Sequence, residues 1–330
     1  HALRQILDTT DNVLVMGHKL ADIDSFGSAI GIYTICRKLG KNVHIVINEV
    51  TSSVKPFMKR FIGKDEYPED LFLLKEEAPE YVDAATVVIV VDVNKPQLTE
   101  CPELLDKCKT IVVFDHHRQS SNVVENTILS YIEPYASSTC EMIAEMLQYF
   151  SENIKLTTQE ADCIYAGILI DTNNFMTKTG VRTFEAAAYL RRSGADVTRV
   201  RKLLRNDMTA YKARAEAIRR AEVYREKFAI SVCPADKNLE SPTVVGAQAA
   251  NELLNIIGIK ASFVLTQYQD KIYVSSRSID EINVQLIMER LGGGGHLSMA
   301  GAQLTNCSVE EAKTIIKNTL DEMIEEGDIG

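Results

Sequence analysis

His18, Asp22 and Asp24 crowd the residues just after the apolar run Asn12 to Met16, and the run Ile111 to Phe114 stops on Asp115, His116 and His117. Two more carboxylates are placed alike: Asp92 follows Val87 to Val91, and Asp171 follows Ala166 to Ile170. Imidazole and carboxylate together hold divalent cations without thiolates. Singly, an Asp at the end of an element is most simply a cap or turn residue, and a lone His a satisfied core residue. Jointly, His18, Asp22, Asp24, Asp92, His116 and Asp171 all sit where apolar packing ends, so the pattern predicts that the fold gathers them along one edge.

Like charges about 4 Å apart repel by about 4 kcal/mol at an effective dielectric near 20. Convergence of Asp22, Asp24, Asp92 and Asp171 therefore calls for cations; two divalent ions would neutralise the four, and one would leave an excess. The donor set suits Mn2+, with Fe2+, Co2+, Zn2+ and Mg2+ open under other conditions. Two ions about 3.5 to 4 Å apart lower the pKa of a shared water and aim it at phosphorus. By themselves the residues thus point only to a dinuclear-metal phosphoesterase; the mechanism expected of one uses a metal-bridging hydroxide as nucleophile.

Strand-like runs at 12–16, 43–47, 87–91 and 111–114 alternate with helical patterns such as Ser25 to Leu39, which implies βαβ units and a parallel sheet. Ligands of open α/β sheets sit outside the carboxyl ends of the strands. Helical periodicity continues through Ser138 to Phe150, Thr158 to Ile170, Phe184 to Arg192 and the charged stretch 196–226, read as a helical linker with a solvated face. From Phe228 the pattern restarts, with strands at Phe228 to Cys233, Ala261 to Tyr268 and Lys271 to Ser276, helix Val244 to Ile257 and a final amphipathic helix Val309 to Glu325. The expected architecture is α/β, with a parallel-sheet catalytic domain over 1–195 and a smaller α/β substrate-binding domain over 227–330. The active site is expected in the cleft between them.

The net charge of −10 argues against a partner as long and anionic as nucleic acid. Seven scattered Cys without a CxxC pair read as reduced thiols in a cytoplasmic setting. The apolar stretch Ala84 to Val91 falls far short of the roughly 20 residues that span a bilayer, so no membrane contact is expected from this chain. Its start at His1 reads as a piece of a longer protein.

Asp115-His116-His117, with His18-x3-Asp22-x-Asp24 and Asp92 upstream, resembles the DHH phosphoesterase superfamily, which includes RecJ, the nanoRNases and family II inorganic pyrophosphatases. Gly292 to His296, followed by Leu297 to Ala302, looks like the glycine-rich motif of the DHH-associated C-terminal domain and disfavours pyrophosphatase. Gly17 to Ser25, Asp115 to Arg118 and Tyr135 to Thr139 look most like the GdpP cyclic-di-AMP phosphodiesterases, over nearly the whole chain. The resemblance implies Mn2+-dependent hydrolysis of cyclic-di-AMP to linear pApA. It also implies that His18 and Asp22 hold one metal, Asp24, His116 and Asp171 the other, that Asp92 bridges them, and that Asp115 orients the site without touching metal. A membrane tether in absent N-terminal segments is implied for the full-length protein, and a homodimer is compatible. A nanoRNase-like hydrolase of short oligoribonucleotides or pAp, and a catalytically inactive nucleotide sensor, are the competing readings.

His117, left without a metal, is expected to donate to the phosphoryl oxygen or the leaving 3′-oxygen. Gly293, Gly294 and Gly295 would let backbone N–H groups approach phosphate, with His296 as a further donor, unless the run is a flexible turn. Arg277 is the expected phosphate clamp, Arg118 a second cation, and Ser137 and Ser138 offer hydroxyls at a helix start. The plainer alternatives are surface arginines and an N-cap.

Overall fold

The computed structural model describes residues 2–119, 122–150, 154–205, 207–234, 238–239, 241–279 and 281–329. The chain forms two compact units, His1–Arg205 and Asn206–Gly330. The first contains α1 (Ala2–Leu7), β1 (Asn12–Met16), α2 (Ile23–Lys38), β2 (Asn42–Val46), α3 (Lys55–Met58), β3 (Phe72–Leu73) and β4 (Val87–Val91). It continues with α4 (Glu103–Lys107), β5 (Thr110–Asp115), β6 (Thr127–Ile132), α5 (Thr139–Phe150), α6 (Thr158–Asp171), α7 (Val181–Arg192) and α8 (Val197–Leu203).

Its six strands run parallel in the order β3-β2-β1-β4-β5-β6. Every residue of β4 is buried, because helices or loops cover both faces and leave no reason for polar alternation. Val13, Val15, Ile89 and Val91 pack into the core that includes α2, α5 and α6, whereas Leu14, Met16, Val88 and Val90 face Leu104 of α4 and Ala78. The strands read from the sequence match β1, β2, β4 and β5 within a residue. β3 and β6 escaped that reading, since β3 has two residues and β6 alternates between half-buried and exposed positions.

Helices α2, α5 and α6 meet at glycines. A Cβ on Gly27 would lie 2.6 Å from the Cys163 carbonyl oxygen, and one on Gly167 would lie 2.4 Å from Cys140 Sγ and 3.1 Å from the Asp24 Cα. That approach seats the first turn of α2, which carries Asp24, against α5 and α6.

The second unit contains α9 (Met208–Arg219), β7 (Glu222–Tyr224), β8 (Phe228–Cys233), α10 (Pro242–Leu253), β9 (Ala261–Tyr268), β10 (Lys271–Ser278), α11 (Val284–Arg290), β11 (Gly294–His296), β12 (Met299–Leu304) and α12 (Val309–Glu325). Its sheet order is β11-β12-β10-β9-β8-β7, antiparallel except for the parallel pair β8 and β9.

The stretch 196–226 is not one linker. Arg199 of α8 donates through Nη2 to Asp162 Oδ1 at 2.9 Å, and Asp162 is a wholly buried carboxylate of α6 that also receives Arg60 Nη1 at 2.7 Å. A buried acid thus claims a charge that the sequence reading gave to solvent, and α8 joins the first unit. Ala213 and Ala217 of α9 pack with Ala249 and Leu253 of α10 in the second. No described helix is long and apolar enough to cross a membrane.

Gly167→Ala should lower stability by about 1–3 kcal/mol, because overpacking against Cys140 and Asp24 outweighs the roughly 0.5–1 kcal/mol that Ala gains in a helix. Chemical denaturation reads this, and an unshifted midpoint would show that the glycine contact yields freely.

Candidate metal centre

Each side chain of the cluster is positioned by the end of an element. Asp22 is the N-cap of α2, its carboxylate accepting from the backbone N–H groups of Asp24 and Ser25. Asp24, in the first turn of α2 and buried, accepts from the first N–H groups of α5: Thr139 N to Oδ2 and Cys140 N to Oδ1, both at 2.8 Å. A carboxylate at the positive end of a 12-residue helix is favoured electrostatically as well as hydrogen-bonded.

Asp92 ends β4 in the left-handed region, with φ of 59°, a conformation that costs a non-glycine residue about 1–3 kcal/mol. Its N–H still donates to Phe114 O at 2.9 Å, and its Oδ1 accepts from Thr139 Oγ1 at 3.0 Å. Asp171 is the last residue of α6.

His18 Nε2 lies 3.6 Å from Asp22 Oδ1 and 3.6 Å from Asp92 Oδ2. His116 Nε2 lies 3.8 Å from Asp24 Oδ2, 3.5 Å from Asp92 Oδ1 and 3.4 Å from Asp171 Oδ2. Asp92 therefore turns one oxygen to each histidine. Among the described residues, three groups have donor atoms that lie within 4.8 Å of one another: His18, Asp22, Asp92; Asp24, His116, Asp171; and Asp92, His116, His117. His18 Nδ1 lies 2.9 Å from the Lys19 carbonyl oxygen, which only accepts, so Nδ1 carries the proton and Nε2 faces the acids. Oxygen and imidazole donors in this density fit divalent cations such as Mn2+.

The electrostatics describe a cluster that lacks positive charge. Burial, and then like-charge neighbours, push Asp24, Asp92 and Asp171 above the usual carboxylate range. Burial opposes a charged His18, yet hydrogen bonds and the charges of Asp22 and Asp92 lift it to about 11. Asp22 resists the effect of its burial through His18 and falls below its ordinary value. Burial, with the charge of His117, pushes His116 down to about 3 and leaves it the neutral ring that a metal requires.

Asp115, expected to orient the site without touching metal, is buried at the end of β5, where its Oδ1 lies 2.8 Å from His117 Nδ1 and its Oδ2 accepts from Asn94 Nδ2. Arg118 is exposed. Ser137 and Ser138 differ from their expected role: both are buried, the Ser137 hydroxyl donates to Glu141, and Ser138 Oγ accepts from Glu141 N at 3.1 Å. The helix start read as a phosphate seat is taken by Asp24. Asn94, a buried amide two residues past Asp92, was missed. Polar residues just beyond strand ends were the signal that would have found it.

In the second unit Arg277 on β10 is half-buried, donates from Nη1 to Ser276 O at 2.8 Å, and keeps a buried Nε without a hydrogen-bond partner; burial pushes its guanidinium down to about 10. Gly294, Gly295 and His296 form β11. A Cβ on Gly293 would lie 2.1 Å from Gly301 O, and one on Gly295, with φ of 150°, 2.5 Å from Met299 O. Gly293 and Gly295 are thus required by their approach to β12, whereas a Cβ on Gly294 would meet nothing within 4 Å.

Residues 12–168 match the DHH family, N-terminal domain, and residues 227–326 match the DHHA1 domain. The chain belongs to the DHH family. It is 40% identical over 333 residues to the cyclic-di-AMP phosphodiesterase GdpP of Bacillus subtilis, a match covering 99% of this chain and 50% of that protein. It is 39% identical to the cyclic-di-AMP phosphodiesterase PdeA of Listeria monocytogenes, covering 97% of this chain and 49% of that one. The chain thus spans about half the length of these curated relatives. An exopolyphosphatase-related protein from Bacteroides fragilis shares the fold, with a TM-score of 0.81 at 19% identity, covering 97% of this chain and 95% of that one. The metal-ligand candidates His18, Asp22, Asp24, Asp92 and His116 lie within the DHH match and Asp171 just beyond it, while Arg277 and Gly292 to His296 lie in the DHHA1 match.

Metal and protons compete for the DHH cluster. Groups whose pKa is raised on folding, here Asp92, Asp171 and His18, hold more protons folded than unfolded, so their contribution is lost as pH rises. From about pH 6.5 to about 9, the melting temperature of the metal-free chain should fall, and Mn2+ should flatten that fall. Equal slopes with and without metal would argue against a metal at this cluster.

Proposed function

We propose that this chain is a Mn2+-dependent phosphodiesterase that hydrolyses one 3′-5′ bond of cyclic-di-AMP to linear pApA. The observation that carries the reading is the pair of histidine-carboxylate groups sharing Asp92 at the strand ends of a DHH domain. The 40% identity to GdpP supports the choice of substrate.

In this reading His18 and Asp22 would hold one ion and Asp24, His116 and Asp171 the second, with Asp92, which faces both His18 and His116, serving the two. Bound divalent ions lower the pKa of water and offset the charge that develops on the phosphoryl oxygens. The protein's own groups do the rest. Asp24 is fixed by two backbone N–H groups and Asp92 by Thr139, so both carboxylates meet cations without reorganising. His117, with its Nδ1–H directed to Asp115, turns Nε2 to substrate, and once Nε2 takes up a proton the ring can donate it to the phosphoryl oxygen or to the leaving 3′-oxygen. Arg277, the backbone of Gly293 to Gly295, and His296 bind phosphate, with Arg118 as a further cation. Ser137 and Ser138 hold the start of α5 through Glu141 rather than touching substrate.

Chromatography after incubation with Mn2+ and, in separate arms, cyclic-di-AMP, cyclic-di-GMP, pApA and pAp should show pApA accumulating from cyclic-di-AMP. Faster breakdown of pApA or pAp would replace the reading with an oligoribonuclease-like one, and tight binding without turnover would replace it with a sensor. His117→Ala should cut kcat by about 10²- to 10⁴-fold with bound manganese unchanged, whereas Asp92→Ala should lose manganese.

A further inference from the structure

Two residues past Asp92, the side chain of Asn94 is 3% exposed in a region of ionisable groups, yet it touches none of the six candidate metal ligands through any bond the structure records. Its Nδ2 donates to Asp115 Oδ2 at 2.6 Å and to the His117 carbonyl oxygen at 3.2 Å. Both partners only accept, so the amide has one workable orientation, with NH2 toward Asp115. The other carboxylate oxygen, Asp115 Oδ1, accepts from His117 N at 3.1 Å and faces His117 Nδ1 at 2.8 Å. Asn94 thus grips the Asp115–His117 unit at two points: the carboxylate that orients the ring and the carbonyl of the ring's own residue.

We infer that Asn94 is a positioning residue for His117, locking Asp115 so that the ring carries its proton on Nδ1 and keeps Nε2 directed at substrate. This rests on the role proposed for His117. A buried carboxylate held from one side alone can rotate about its Cβ–Cγ bond, and the ring it orients turns with it. An amide donor on the far oxygen removes that freedom. Its backbone is anchored too, since Val124 N donates to Asn94 O at 2.8 Å, so the side chain is delivered by a fixed loop. Asn94→Asp keeps the shape but puts an acceptor against the two acceptors, which inverts the interaction without leaving a cavity.

The test crosses Asn94→Asp and Asn94→Ala with His117→Ala in the Mn2+-loaded protein, reading kcat, KM and bound metal. In the native background each Asn94 variant should lower kcat by about 10- to 100-fold at nearly unchanged KM and full metal content. In the His117→Ala background the same change should cost less than about two-fold, because the group it positions is gone. Equal losses in both backgrounds, or loss of metal, would overturn the inference. An independent readout uses the Mg2+-loaded protein, in which 15N shifts assign the ring tautomer of His117 by difference from His117→Ala. The Nδ1-protonated tautomer should dominate in the native chain and give way to a mixture in Asn94→Asp; an unchanged tautomer would overturn the inference. Should the native chain leave cyclic-di-AMP intact, the proposed function falls while the tautomer comparison still decides the role of Asn94.

Discussion

Four carboxylates are brought to one end of a parallel sheet, and their mutual repulsion is the constraint to which the rest of the first unit answers. Hydrophobic burial drives Val87 to Val91 and Ile111 to Phe114 into the sheet, and the acids at their ends travel with them. Each acid then needs a specific partner. Asp24 takes the N-terminus of α5, Asp92 takes the Thr139 hydroxyl, and His18 sits between Asp22 and Asp92 with a raised affinity for protons. The glycines between α2, α5 and α6 follow from the same demand, because a side chain at Gly167 would push Asp24 off the helix end that holds it.

The second unit solves a backbone problem rather than a charge problem. Gly293 and Gly295 let β11 lie against β12 at distances no Cβ tolerates. Arg277, on the strand that pairs with β12, has a guanidinium nitrogen buried without a partner, a costly arrangement unless an anion completes it.

Much of this was legible in the chain. Val and Ile runs that end on Asp or His announce a parallel sheet with a polar edge, and the six inferred ligands are brought into two neighbouring groups. What stayed hidden depends on partners remote in sequence. Nothing near Asp162 foretells that Arg60 and Arg199 will converge on it, which is why the charged stretch after 196 read as solvated. Ser137 and Ser138 looked like free hydroxyls because Glu141, whose carboxylate accepts from the Ser137 hydroxyl and whose N–H donates to Ser138 Oγ, was not weighed as their partner. Asp115 next to two histidines left open which one it serves, and only the chain's turn past Asp115 shows that it is His117. Strand β6 lacks the continuous apolar signal because it is an edge strand with one flank exposed.

The left-handed turn at Asp92 couples two parts of the site. The same backbone reversal that points the shared carboxylate at both histidines also returns the chain so that Asn94 reaches Asp115. The placement of Asp92 relative to the Asp115–His117 pair is therefore tied to the three-residue segment 92–94. An insertion or deletion within residues 92–94 would displace Asp92 and the Asp115–His117 pair relative to each other, whereas changes in loops away from this segment leave both in place.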